Sequence, residues 1–179
     1  MFSMVQAGSM GVPFVALRGL IGSDLLKHRP DMPVIDSPFN PGEQVVVARP
    51  IRPDVSIFHA LQADPLGNAV TPGLREDLML ARASRRVIVT AEEIVPGPLS
   101  LQDAPENTFL PAIDVDAVAY APHGAHPCAC GELYPCDHGH ITEYLEAAKD
   151  EKAFQQYLER YVKGLATHEE YLKRLKINP

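Results

Sequence analysis

The chain has 179 residues, of which 46% are hydrophobic, and a formal net charge of −7, so it can bury a core but is too acidic for a general nucleic-acid or anionic-membrane surface. No apolar run approaches the roughly 20 residues of a membrane-spanning helix, and the first residues lack the basic segment of a secretory signal. Its three cysteines lie within residues 128–136; an odd cluster of thiols is typical of a reducing compartment, so a soluble cytoplasmic protein is expected.

Proline and glycine divide the first third of the chain into short segments. Residues 1–9 are predicted to form the end of a helix, closed near Gly11. The apolar run Pro13–Leu17 predicts a short buried strand, followed by a glycine-containing loop at Arg18–Asp24. Gln44–Ala48 comes after two turn signals and predicts another strand.

The middle of the chain has the pattern of a strand–helix–strand crossover. Asp54–Ala63 predicts a buried strand, Asp64–Asn68 a turn, Thr71–Ser84 a helix and Val87–Thr90 the next strand. The apolar positions of this helix have helical spacing: Leu74, Leu78 and Ala81. Such a crossover implies parallel strands. With a further strand within Ile113–Pro122, the predicted fold class is α/β, an open and mostly parallel sheet with helices on both faces.

The last quarter of the chain is predicted to be helical. An apolar stripe at helical spacing would pack on the sheet or on a partner. The stripe consists of Phe154, Tyr157, Leu158, Tyr161, Val162 and Leu165. Thr167, followed by Glu170, has the form of a capping box that opens a last helix. The chain therefore divides into an α/β domain, residues 1–140, and a helical C-terminal extension, residues 141–179.

Polar residues collect towards the end of the predicted strand Asp54–Ala63. His59 lies inside the strand, and Asp64, Gly67 and Asn68 follow it. Ligands of open α/β sheets bind at the carboxyl ends of strands, so a substrate-binding role is predicted for these four residues. Gly67 has no Cβ and Asn68 tolerates a positive φ, which lets backbone approach a ligand. The alternatives are a core histidine bonded to a backbone carbonyl and ordinary turn chemistry.

A second group of candidates follows the predicted strand Pro13–Leu17. Arg18 is placed where a guanidinium can clamp a substrate carboxylate through two hydrogen bonds; the alternative is a surface salt bridge. Ser23 and Asp24 belong to the same loop. Ser23 is predicted to shape a substrate site, whereas Asp24 is equally explained as a turn former or a helix cap.

The adjacent carboxylates Glu92 and Glu93 follow the strand predicted at Val87–Thr90. At first sight they have the form of a catalytic pair. Neighbouring residues on an extended chain point to opposite sides, however, so a shared acid/base pair is not expected.

The cysteines form a candidate zinc cluster in HPCACGELYPCDHGH. A tetrahedral zinc ion takes four ligands, commonly cysteine sulfur and histidine nitrogen. This segment contains that number and type in Cys128, Cys130 and Cys136 with His138 or His140. Their spacing departs from the paired C-x2-C knuckle. Three unpaired thiols are therefore favoured, and no metal ligand is assigned.

Four segments of the chain occur in an order that is specific in sum, although no single motif is. They are GVPFVALRGLIGSD, SPFNPGEQVVVARPIRPDVSIFHALQADPLGNAV, ARASRRVIVTAEEIV and PHGAHPCACGELYPCDHGHITEYL. Together they resemble the alpha subunit of class I CoA-transferases, in particular the glutaconate CoA-transferase-like branch. In the last segment, the resemblance implies that His126 lines the substrate pocket near a subunit interface. The alternative is a loop histidine without a functional role.

The resemblance implies a NagB-like fold and the transfer of coenzyme A between an acyl-CoA and a carboxylic acid. In that family a glutamate attacks the thioester and CoA then captures the glutamyl group, which divides one difficult exchange into easier steps. Water must be excluded from these reactive acyl groups. The glutaconate branch carries this glutamate on a beta-type partner subunit. No catalytic residue is therefore assigned to this chain, CoA is a substrate and not a cofactor, and an oligomer is expected.

The resemblance also implies that this chain lacks the N-terminal part of the family's alpha subunits, which contains a Gly-rich CoA-binding turn. A truncated reading frame, a fragment and a split subunit are the alternatives. A sheet without that part exposes an edge and apolar surface, so a partner is expected. Two alternatives stay open. One is an acyl-CoA hydrolase of the ring-opening type on the same scaffold, and the other is a non-catalytic, zinc-bound assembly module.

Overall fold

A small antiparallel sheet occupies the N-terminal third of the protein. The computed structural model describes residues 1–73 and 75–177, and the strands of this sheet are β1 Val15–Leu17, β2 Val34–Asp36 and β3 Gln44–Ala48. Their order is β1–β3–β2. The interval of β3 is the one predicted from its sequence, and Val46 and Ala48 on this strand are buried.

The larger sheet is mixed, with parallel strands in its middle and at one edge. Its strands are β4 Ser56–Ala63, β5 Ala69–Thr71, β6 Val87–Ile94, β7 Thr108–Leu110 and β8 Ala117–Tyr120, in the order β7–β5–β4–β6–β8. β4, β6 and β8 are parallel, so the predicted crossover is confirmed. β5 is antiparallel to both its neighbours because the turn at Asp64–Asn68 folds the chain back on β4 as a hairpin.

The helices lie at the start of the chain, in the crossover and in the last quarter. They are α1 Phe2–Ser9, α2 Asp77–Ala83, α3 His138–Ala147, α4 Glu151–Leu158 and α5 His168–Leu175. α1 and α2 pack against each other. Leu74, predicted to lie on the apolar stripe of the crossover helix, is outside the described residues. The predicted boundary after residue 140 falls within α3, and the division into two domains stays a prediction.

One residue of the apolar stripe predicted for the C-terminal region, Val162, is exposed. Residues Glu159–Lys163 form a π-helical turn, which contains more residues per turn than an α-helix. Tyr161 is buried, whereas Val162 is 58% exposed. The periodicity of 3.6 residues correctly predicted the helices, but it placed Val162, which lies in the π-helical turn, on the buried stripe.

The two faces of the β4–β6 pair differ in chemistry. Phe58 and Ala60 alternate onto one face with Val89 and Ala91 of the parallel neighbour, and all four are buried in the main core. The opposite face carries His59, Thr90 and Glu92, because side chains alternate along a strand. No helix among the described residues is both long and apolar enough to cross a bilayer.

Candidate functional site

His59, Thr90 and Glu92 meet on the polar face of the paired strands. The register places His59 beside Thr90, and Glu92 lies two residues further along β6 on the same side. His59 Nδ1 is 2.8 Å from Thr90 Oγ1, and His59 Nε2 is 2.5 Å from Glu92 Oε1. A histidine and a carboxylate from two strands thus form a pair whose side chains are only 15% and 10% exposed.

The loop between β8 and α3, residues 121–137, covers this face and binds the same carboxylate. The Tyr134 hydroxyl donates to Glu92 Oε1, and the His123 backbone N–H donates to Oε2 over 2.7 Å. The His123 ring stacks on the Tyr134 ring, with centroids 4.6 Å apart. Glu92 therefore joins β4, β6 and the 121–137 loop. We call His59, Thr90, Glu92, Cys130 and Tyr134 the Glu92 cluster.

A glycine allows the loop to approach the sheet this closely. A Cβ on Gly124 would lie 2.6 Å from His59 Cε1 and 2.7 Å from the Ala121 carbonyl oxygen. Real Cβ atoms do not approach other atoms to that distance. The loop therefore requires a residue without a side chain where it crosses His59.

The electrostatics of the Glu92 cluster favour an ionised carboxylate beside neutral hydroxyl and thiol groups. Burial alone raises the pKa of Glu92, but hydrogen bonds from Tyr134, His59 and the His123 N–H together hold it below its usual range. Burial, and then the bond to Glu92, raise the pKa of Tyr134. Burial and the nearby Glu92 charge raise the pKa of the Cys130 thiol, which is 1% exposed.

Two cavities adjoin the Glu92 cluster. One, of about 310 Å³, is lined by His59, Cys130 and Arg75 among others. The Arg75 guanidinium is 47% exposed there and pairs with Asp77 over 2.6 Å. The other, of about 430 Å³, is lined by Glu92 together with the apolar Leu61 and Leu133. Members of the cluster thus line both cavities.

The predicted turn residues Asp64, Gly67 and Asn68 are brought together, at the end of β4 beyond His59. Asp64 is fully buried and accepts hydrogen bonds from the backbone N–H groups of Leu66, Asn68 and Leu99 and from the Asn68 amide, over 2.7–3.0 Å. Burial alone raises the pKa of Asp64, but these bonds hold it below its usual range. Gly67 has φ +105°, as a turn glycine requires.

A third cavity, of about 310 Å³, lies beside this turn. It is lined by Asp64, Gly67, Asp116 and Tyr120 among others. Asn68 Oδ1 accepts from the Ala112 N–H over 2.8 Å. Substrate binding by the three turn residues stays a prediction, and the turn has a structural role in any case.

Arg18 and Ser23 belong to the small sheet and its following loop, and not to the face that carries His59. The Arg18 side chain is 83% exposed and its Nε lies 3.1 Å from Glu43 Oε1. The Ser23 hydroxyl donates to the Leu20 carbonyl over 2.6 Å. The exposed guanidinium is accessible to a carboxylate, so the predicted role of Arg18 keeps its physical basis and stays a prediction.

His126 connects the 121–137 loop with the C-terminal helices. Its Nδ1 is 2.8 Å from the Tyr171 hydroxyl of α5, and its Nε2 is 3.2 Å from Asp137 Oδ2. The His140 ring of α3 lies edge-on to it at 5.0 Å. With only 7% of its side chain exposed, His126 is a buried link, and its predicted place in a pocket wall stays untested.

The cysteines do not gather into the candidate zinc cluster, which the sequence did not favour because of its spacing. Cys128 is exposed, Cys130 is buried, and Cys136 Sγ accepts from the Ala129 N–H over 3.2 Å. Across residues 1–73 and 75–177, the metal-ligating atoms that do converge are those of His59, Glu92 and Cys130, all within 4.8 Å of one another.

Sequence reasoning missed Glu92 and Tyr134 as members of a site. The expectation that Glu92 and Glu93 point apart is confirmed, because Glu93 Oε2 accepts from the Gln62 amide on the other face. The predicted parallel crossover could have identified Glu92, because side chains alternate along adjacent strands and this alternation places His59 and Glu92 on the same face of the sheet. Tyr134 has no such signal, because it comes from an aperiodic loop.

Comparison with known proteins gives a consistent result. The family model described as Coenzyme A transferase matches residues 1–121. The chain is 35% identical to the A-type subunit of glutaconate CoA-transferase of Acidaminococcus fermentans over 97% of its length, and 35% identical to the A-type subunit of 3-oxoadipate CoA-transferase of Pseudomonas knackmussii over 94%. The crystal structure of glutaconate coenzyme A-transferase from A. fermentans superposes with a TM-score of 0.88 at 34% identity, covering 97% of this chain and 60% of that one.

A more distant relative has a different name. The chain is 29% identical, over 89% of its length, to a cholesterol ring-cleaving hydrolase subunit of Rhodococcus jostii, of which it covers 57%. It covers 59% of each of the two CoA-transferase subunits and 37% of an uncharacterised protein of Archaeoglobus fulgidus that is 41% identical to it. The chain thus spans about two to three fifths of the length of these relatives.

Proposed function

Because the chain belongs to the coenzyme A transferase family, we propose that it acts as the alpha-type subunit of a CoA-transferase. The observation that carries this proposal is the match, over nearly the whole chain, to two relatives named as the A-type subunits of such enzymes. The reaction moves coenzyme A between an acyl-CoA and a carboxylic acid. The three free cysteines suit a reducing compartment, and the cytoplasm is the proposed location.

The proposed chemistry uses a glutamate of a beta-type partner. Its carboxylate attacks the thioester carbonyl, the CoA thiolate leaves, and an acyl–glutamyl anhydride forms. The thiolate then attacks the glutamyl carbonyl, which frees the first acid and leaves a glutamyl-CoA thioester. The incoming carboxylate reverses these two steps. The surroundings of Glu92 favour a nucleophile on the partner chain. This carboxylate accepts three hydrogen bonds and lies between His59 and Tyr134, so its oxygens are already engaged.

Exposed apolar side chains support a partner subunit. Large aliphatic residues with at least two thirds of their surface exposed are Ile57, Leu66, Leu101 and Ile113. Apolar groups of this size are often covered in an assembly. The proposed substrate contacts are the seven residues identified from the sequence: Arg18, Ser23, His59, Asp64, Gly67, Asn68 and His126.

Co-expression with a beta-type partner tests the proposal. The purified complex is expected to transfer CoA from an acyl-CoA to an added carboxylic acid, while each chain alone does not. Sodium borohydride reduces a glutamyl-CoA thioester, and peptide mass analysis of the treated complex locates the modified glutamate. A modified glutamate in the partner supports the mechanism. Modification of Glu92 would overturn it.

A reaction without an acceptor acid separates the second candidate, an acyl-CoA hydrolase. The resemblance to a ring-cleaving hydrolase subunit is the observation that favours it. If the complex rapidly releases free CoA from an acyl-CoA with no acceptor acid present, the hydrolase is favoured over the transferase. If a stable complex catalyses neither exchange nor hydrolysis with a panel of acyl-CoA donors, the non-catalytic assembly module is favoured.

A further inference from the structure

The Glu92 cluster contains the donor atoms of a transition-metal site. His59 comes from β4, Glu92 from β6 and Cys130 from the 121–137 loop, and their nitrogen, oxygen and sulfur atoms lie within 4.8 Å of one another. Imidazole, carboxylate and thiolate are the ligand types that zinc prefers. We propose that His59, Glu92 and Cys130 bind Zn²⁺.

The two ring nitrogens of His59 each face an oxygen. Nδ1 lies 2.8 Å from Thr90 Oγ1, and Nε2 lies 2.5 Å from Glu92 Oε1. Without a metal ion, Nε2–H donates to Glu92. Zinc would bind Nε2 in the other tautomer, in which Nδ1 carries the proton and donates it to the Thr90 hydroxyl.

The surroundings of the three ligands match the outer shell of a metal site. A ligating histidine almost always donates its second ring nitrogen to an oxygen, here Thr90 Oγ1. The Glu92 carboxylate is oriented by the His123 N–H and the Tyr134 hydroxyl. Cys130 is buried, so its position is set by packing and not by solvent.

Zinc requires a small expansion of the cluster. Bonds of about 2.0–2.1 Å to nitrogen and oxygen place tetrahedral ligand atoms about 3.3 Å apart. His59 Nε2 and Glu92 Oε1 must therefore separate slightly, while Cys130 Sγ moves inward by a side-chain rotation. Three protein ligands leave a fourth position. His59 and Cys130 both line the cavity of about 310 Å³, so a water molecule from this cavity can occupy the fourth coordination position.

Metal content and cobalt spectroscopy of the full chain test the proposal. The protein, purified without chelator, is expected to hold about one zinc per chain. After removal of the metal by a chelator, Co²⁺ is expected to produce the intense sulfur-to-cobalt charge-transfer absorption of a thiolate ligand. X-ray absorption of the zinc form should give one sulfur at about 2.3 Å among nitrogen and oxygen neighbours. This last measurement needs no variant.

The other cysteines supply matched controls. Cys130→Ser should abolish the charge-transfer band and weaken zinc binding about 100-fold or more, whereas Cys128→Ser and Cys136→Ser should retain both. Thr90→Val should keep the band but weaken binding by about 10–100-fold, because it removes only an outer-shell bond. A full chain that takes up no zinc, a zinc spectrum without sulfur, or a band that survives in a folded Cys130→Ser protein would overturn the proposal. These readouts do not depend on CoA transfer.

Discussion

A single carboxylate, that of Glu92, connects three parts of the chain that are far apart in sequence. His59 reaches it from β4, while the Tyr134 hydroxyl and the His123 N–H reach it from the 121–137 loop. Each contact is a charge-assisted hydrogen bond in a half-buried setting, where such bonds are stronger than at an exposed site. The residue therefore holds the loop on the sheet, whatever the cluster binds.

Replacing Glu92 with glutamine should destabilise the protein. The amide removes the charge and turns an acceptor into a donor that faces other donors, so the free energy of unfolding should fall by about 2–4 kcal/mol. Glu93→Gln is the matched control, since Glu93 is exposed and its carboxylate accepts from the Gln62 amide; it should change stability by about 0.5 kcal/mol or less. Urea unfolding measures both. Equal effects in the two variants would contradict the role of Glu92.

The buried Asp64 offers a second test at the scale of one residue. Asp64→Asn keeps the shape but removes two acceptor positions from a carboxylate that accepts four hydrogen bonds. A loss of about 2–4 kcal/mol is expected. Asp54→Asn is the control, because the Asp54 side chain is 86% exposed and pairs with an exposed arginine, Arg85; a loss of about 0.5 kcal/mol or less is expected. Chemical denaturation measures the free energy of unfolding of both variants. If Asp64→Asn is as stable as the wild type, the turn tolerates an amide and the predicted role of the carboxylate is wrong.

Among the secondary structure elements, those with a clear periodic pattern were predictable from the sequence. β3 and the parallel crossover of β4 and β6 follow from apolar runs between turn residues. β5 did not, because three residues after a turn carry too little pattern to separate a strand from a helix start. The cysteine–histidine zinc set, which the sequence offered but its spacing did not favour, is not brought together, because the loop of residues 121–137 folds onto β4 and β6 and places Cys130 beside His59 and Glu92 instead.

The approach of the 121–137 loop to β4 can be tested at Gly124. In Gly124→Ala the new methyl group would overlap His59 Cε1 and the Ala121 carbonyl, so the loop must move. A loss of about 1–3 kcal/mol is expected from such overpacking. Gly97→Ala is the control, because a Cβ there has no neighbour within 4 Å.

Hydrogen exchange separates local from global effects of this change. In Gly124→Ala the amides of residues 121–137 should exchange faster, while those of β4 and β6 keep most of their protection. Protection of the loop equal to that of the wild type would mean that Gly124 does not control how closely the loop approaches His59.

At the scale of the whole molecule, histidine and tyrosine side chains connect the α/β part to the C-terminal helices. His126 of the 121–137 loop bonds to Tyr171 of α5, and next to it His140 Nε2, at the start of α3, bonds to Tyr157 of α4 over 2.8 Å. The Tyr161 ring packs on His140 at 4.6 Å. Sequence periodicity predicted the helices that supply the tyrosines. It did not predict this interface, because the partners are histidines in a loop and at a helix start, outside any apolar stripe.

These connections and the buried carboxylates give the stability of the whole protein a defined pH dependence. Burial, and then the neighbouring His126, lower the pKa of His140 from 6.5, and hydrogen bonding lowers the pKa values of Asp64 and Glu92 from 3.8 and 4.5. A lowered folded-state pKa stabilises the fold above the unfolded-state pKa, and this stabilisation is lost as the pH falls through the folded-state value. Tyrosines behave in the opposite sense. Burial raises the pKa of Tyr171 from 10.0 to about 12, so its contribution is lost as the pH rises from 10 through 12.

The free energy of unfolding should therefore be greatest between about pH 7 and pH 9 and fall in two stages on acidification. The first stage begins below pH 6.5 as His140 acquires a proton, preferentially in the unfolded chain. The second begins below pH 4.5, where Glu92 and then Asp64 take up protons. Urea titrations at a series of pH values measure both stages. His140→Gln should remove the first stage and leave the second, because glutamine does not titrate and Glu92 and Asp64 are unchanged. A stability that is constant from pH 7 to pH 5 in the wild type, or a first stage that persists in His140→Gln, would show that His140 is not the group responsible.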